Sequence, residues 1–134
     1  MKTSDLAKLM LRLAVGGLML FHGVHKLLDG FAGIKAMLAA SSLPDWLWFG
    51  VIVGELLAPV LLLLGVWTKI ASLFVMGTMF FSMYIAFGMG SFELTKTGGL
   101  VAELNLLYLF AAFAILLFGH GKYALQKKDT GLFS

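Results

Sequence analysis

The chain has 134 residues, 60% of them apolar and only 13% charged, with a net charge of +3. The apolar residues come in long runs rather than amphipathic stripes, which excludes an ordinary soluble domain, and the basic residues form no aromatic-interleaved stripe of the kind that binds nucleic acid. With no cysteine, the chain has no disulfide, no thiol nucleophile and no thiolate ligands for an iron–sulfur cluster.

The first apolar run covers about residues 5–28. Lys2, Lys8 and Arg12 flank its start as they would in a signal peptide. The run continues through Phe21 without a small-residue cleavage site, however, so a retained first helix is expected. Arg12 is expected to snorkel to the inner interface. Residues 29–45 are too polar to span a bilayer, but Phe31, Ile34, Met37 and Leu38 recur at helical spacing and predict a short amphipathic helix lying on the surface.

The second span, 47–66, is nearly all apolar yet carries Glu55 and Pro59. Twenty residues at about 1.5 Å each match the hydrocarbon thickness of a bilayer. Pro59 has no N–H, so the carbonyl of Glu55 loses its regular helical partner. Gly50, Gly54 and Ala58 recur at intervals of four, a pattern of small residues that lets membrane helices approach closely or a second copy pack. Trp46 and Trp48 suit one aromatic belt and Trp67 the opposite one. A third span follows at 70–88, with Met76, Met79 and Met83 as a packing stripe. The fourth, 100–118, begins with Glu103 and Asn105, and a basic tail closes the chain.

The fold class expected is all-α: an integral-membrane four-helix bundle forming one domain over 1–134. Four spans put both termini on one side, with Lys2, Lys8, Arg12, Lys69, Lys122, Lys127 and Lys128, against Lys26, Lys35 and Lys96 on the other. That bias predicts both termini in the cytoplasm. His22, Glu55 and Glu103 then lie roughly 8, 12 and 5 Å below the outer edge. Three helices thus deliver polar groups to one leaflet.

A carboxylate inside a bilayer faces the protein interior or a wet cavity and needs a partner. Glu55 is therefore the leading candidate for a site, answered by His22 or Lys26, which sit one turn apart on one side of helix 1. His22 lies deeper and is the expected partner. Lys26 has the alternative of snorkelling at the helix end, and Glu103 that of a carboxylate at the positive end of a helix dipole. Asn105 and Tyr108, three apart, suit interhelical hydrogen bonding. Nothing fixes metal-ligand geometry among the histidines and glutamates, so no metal is expected.

Arg12, the pattern Phe21-His22-Gly23-x-x-Lys26, Leu43-Pro44 before the second span, Gly54-Glu55, Leu64-Gly65, Thr68-Lys69 and the closing Gly119-x-Gly121-Lys122-Tyr123 resemble the DoxX family of small four-helix membrane proteins. The resemblance runs from about Leu9 to Tyr123; His120 stands where the family often has proline. It implies a multi-pass protein of the bacterial inner membrane, serving as the membrane component of an oxidoreductase or redox-stress system, with quinone as an implied cofactor. Soluble or membrane redox proteins are the implied partners, and a homo-oligomer through Gly50, Gly54 and Ala58 is a further expectation. On that reading Glu55 and His22 exchange a proton, with Lys26, Glu103, Asn105 and Arg12 as binding residues. A non-catalytic scaffold and a small-solute or proton-coupled carrier are the rival readings.

Overall fold

A computed structural model describes residues 2–128 and 130–134. Its five principal helices are α1 (Thr3–Leu28), α2 (Ala32–Ala40), α3 (Asp45–Leu64), α4 (Thr68–Ala86) and α5 (Glu103–Phe118). By length and composition α1, α3 and α4 can cross a membrane. At 16 residues α5 is shorter. It spans about 24 Å against a hydrocarbon core of about 30 Å. The fourth span expected over 100–118 thus starts later, because Leu100 pairs in a short antiparallel bridge with Leu94 instead of joining the helix.

Where the four long helices meet, Val15, Met19, Ala58, Leu62, Val75, Met79, Leu109, Ala112 and Ile115 form the core. The exterior is apolar as well: Leu18, Phe74, Phe80, Leu107, Phe110 and Leu117 are exposed. A bundle greasy on both faces is built for lipid.

Two glycines bring α1 directly onto α3. A methyl group at Gly16 would come within 2.8 Å of the Pro59 carbonyl oxygen, and one at Gly23 would overlap the backbone of Glu55. Gly54 makes a similar close approach to Thr78 of α4, and Ala58 is buried in the core. Two members of the small-residue stripe therefore serve packing within the chain, while Gly50 lines a cavity.

Around Glu55 the third helix is not a regular α-helix. Ile52–Leu57 is a π-helical turn, in which the Ala58 N–H reaches back five residues to the Val53 carbonyl. The proline ring at 59 clashes with the carbonyl four residues earlier, that of Glu55, and a wider turn relieves the clash.

The link from α1 to α2 reverses through two left-handed residues, Gly30 and Phe31. Phe31 accepts this costly backbone geometry while its side chain is buried against Trp48, with ring centroids 4.8 Å apart. The amphipathic helix expected here is present, and its apolar face is docked: Ile34 and Leu38 pack with Val51, Phe81 and Ile85 of α3 and α4. Trp48, expected in an outer belt, instead lies in this cluster beneath the Lys35 ammonium, whereas Trp46 and Trp67 are exposed.

Candidate functional site

Lys26 and Glu55 form the site. Lys26 Nζ donates to both oxygens of the carboxylate, at 2.6 Å to Oε1 and 2.8 Å to Oε2. The side chain of Glu55 is only 4% exposed and that of Lys26 is 29% exposed. The acid is fixed inside the bundle, and the base retains a path to the outside. The backbone geometry makes this reach natural. Helical side chains slant toward the N-terminus, so Lys26 points down α1, past Gly23, onto the π-helical turn.

His22 is not the partner of Glu55, contrary to the expectation from depth. Its ring is exposed and stands edge-on to Tyr108, at 6.2 Å between centroids and 86° between planes. Lys26 does not merely snorkel; it makes the pair. His22 does share a small polar chamber with the pair. The chamber has a volume of about 110 Å³, and its polar lining is His22, Lys26, Glu55, Ser82, Asn105 and Tyr108. Asn105 Nδ2 donates to Ser82 Oγ across α5 and α4 at 3.2 Å, the interhelical bond expected of Asn105.

On its other side the pair borders a larger cavity of about 350 Å³ between α2, α3 and α4. Its walls are almost wholly apolar, including Met37, Leu47, Val53, Phe74, Phe81 and Ile85, and among the described residues the polar groups come from Lys26, Glu55, Thr78 and Ser82. It reaches down to Leu73, thirteen residues before the end of α4. That is about 20 Å along the helix, well into hydrocarbon depth. The ion pair and Ser82 thus line both an oily cavity and a polar one.

Two residues expected near the site are elsewhere. Glu103 is exposed in the first turn of α5, its carboxylate folded over Gly99, as a dipole-stabilised helix start requires. Arg12 lies about 21 Å along α1 from Lys26, fourteen residues away, and does not snorkel. It is 1% exposed and bonds four carbonyls: Nε to Leu62 at 2.8 Å, Nη1 to His120 and Tyr123 at 2.7 Å each, and Nη2 to Leu63 at 3.2 Å. These carbonyls belong to the last turn of α3, where helical carbonyls lack regular i+4 partners, and to the loop after α5. Gly65, left-handed at the end of α3, leaves room for the guanidinium. Arg12 is a clasp that ties α1 to the end of α3 and to the loop after α5, away from the Lys26–Glu55 pair.

Ser82 and Thr78 had no signal in the sequence, because α4 reads as a featureless apolar span. The α4 residues became part of the site only through their packing against Gly54 and Asn105.

The apolar helices and the internal ion pair define a helical membrane protein with a polar site between its spans. The DoxX family model matches residues 7–88, more than half of the chain, and the chain belongs to the DoxX family. The matched stretch includes Arg12, His22, Lys26 and Glu55; Asn105, Tyr108 and the Gly119–Tyr123 pattern lie beyond it. No curated protein and no solved structure matches the chain.

Proposed function

We propose that this DoxX-family protein is the quinone-facing membrane component of an oxidoreductase system, residing in a bacterial inner membrane. The observation that carries this reading is a charged pair at the wall of a lipid-depth apolar cavity. A volume of about 350 Å³ falls in the range of small-molecule sites, roughly 300–1,000 Å³. Such sites combine apolar walls with a few placed polar groups. The apolar walls take the ring and the start of an isoprenoid tail. Lys26 donates to a ring carbonyl oxygen, and Glu55 accepts from a ring hydroxyl or holds its proton. The chain has no cysteine and so no thiol redox group of its own, and the electrons are carried by the bound quinone and a redox partner protein.

The test is titration of a quinone analogue into the purified protein and its Glu55→Gln variant. Saturable binding to the wild type, weakened at least tenfold in the variant, supports the reading. Equal affinity of both proteins, or no binding to either, overturns it and leaves a membrane scaffold.

A further inference from the structure

We propose that the polar chamber is the route by which Glu55 exchanges its proton with water, and that His22 at its mouth is the relay. The inference rests on the reading of Glu55 as a group that exchanges a proton with a ligand in the apolar cavity. A proton on a buried acid must come from somewhere, and the two cavities differ as conduits. The larger one is lined mostly by hydrocarbon, with Thr78 and Ser82 as its polar groups besides the pair, and offers water few partners along its length. The chamber has six polar side chains around about 110 Å³, room for several waters with the two to four polar partners that each requires.

The chamber also lies near the end of the bundle. His22 is six residues from the end of α1, Ser82 four from the end of α4, and Asn105 two from the start of α5. These separations are about 9, 6 and 3 Å along the helices. His22 is the exposed polar member of the lining, and its ring stands edge-on to Tyr108. Imidazole is suited to the task, since one ring nitrogen accepts a proton as the other releases one.

The step is balanced by the proton alone. The His22 ring takes a proton from bulk water on one nitrogen and gives up the proton on the other to chamber water. Chamber water passes a proton to a Glu55 oxygen, forming one O–H bond, while Lys26 keeps its three protons. Release runs the same way in reverse. Among the described residues, the titratable groups facing the chamber are His22 and Lys26 from α1, Glu55 from α3 and Tyr108 from α5; α4 contributes Met79 and Ser82, neither titratable.

The experiment is an acid jump on purified full-length protein, with protonation of Glu55 followed by time-resolved infrared spectroscopy. The Glu55 band is the carboxyl signal missing from Glu55→Gln. His22→Ala, at an exposed position, is expected to slow its rise at least tenfold, and free imidazole in the buffer is expected to restore the rate. Asn105→Leu, which fills the chamber but keeps the imidazole, is expected to slow it as well. Gly77→Leu fills the apolar cavity, where an added side chain meets no atom within 4 Å of its Cβ. It is expected to leave the rate unchanged while abolishing binding of the quinone analogue. An unchanged rate in both His22→Ala and Asn105→Leu, or equal slowing by Gly77→Leu, overturns the route. Absence of analogue binding in the wild type overturns the ligand reading instead, and the infrared rates still decide the path of the proton.

Discussion

Gly23 lies against the backbone of Glu55 so closely that a single methyl group in its place would overlap the Glu55 carbonyl. One turn further along, Lys26 drops its ammonium onto the carboxylate of the same residue. The close approach and the ion pair are one device: the glycine lets the helices touch, and the touch brings the base within reach.

Gly23→Ala is therefore expected to push α1 off α3 and break the pair, despite alanine's better helix propensity. Gly17 on the same helix meets nothing within 4 Å of an added Cβ. Gly17→Ala should stabilise by up to about 1 kcal/mol, the ordinary gain of replacing an interior glycine. Thermal unfolding in detergent separates the two; a Gly23→Ala protein as stable as Gly17→Ala would show that the contact is slack.

The pair should respond unequally to loss of either member. Removing the base strands a carboxylate that is 4% exposed, whereas removing the acid leaves an ammonium already 29% exposed. Breaking a buried pair costs about 3–5 kcal/mol when the remaining charge has no escape. Lys26→Met is expected to approach that cost, or to force Glu55 to hold a proton, and Glu55→Gln to cost markedly less. Equal losses of melting temperature for the two variants would contradict the burial asymmetry.

Arg12→Lys is expected to destabilise the protein although it keeps the charge. An ammonium has three donors and cannot reproduce a planar fork serving four carbonyls on two segments. Each charged hydrogen bond lost is worth about 1.5–3 kcal/mol. Quinone-analogue affinity of the folded fraction should not change, because the clasp and the site lie about 21 Å apart along α1. A loss of affinity in a fully folded Arg12→Lys protein would place Arg12 back in the binding machinery.

Ser82→Ala removes one interhelical hydrogen bond, from Asn105. Such bonds average about 0.6 kcal/mol in membrane bundles. A small drop in melting temperature is expected, and a large one would mean that the chamber's polar lining holds the bundle together.

How much of this was legible in the sequence follows from what each residue needs. Glu55 announced itself, since an acid amid apolar residues has few tolerable positions. Its partner did not, because counting rise along α1 ranks His22 as deeper but ignores the length and N-terminal slant of the lysine side chain. Pro59 signalled a broken hydrogen bond but not the π-helical turn that absorbs it. Arg12 read as an interfacial anchor because the carbonyls it binds, from Leu62 to Tyr123, are distant in sequence and meet only in the fold. The later start of α5 depended on the bridge between Leu94 and Leu100, a pairing that hydropathy does not report.

The most direct test of the Lys26–Glu55 pairing is a double-mutant cycle on thermal stability in detergent, using Lys26→Met, Glu55→Gln and the double variant. The double variant buries no unpaired charge, so it should be more stable than Lys26→Met alone, with a coupling of at least about 1 kcal/mol, within the range seen for residues in contact. Strictly additive losses would mean that lysine and glutamate do not interact, and the site built around them would be contradicted.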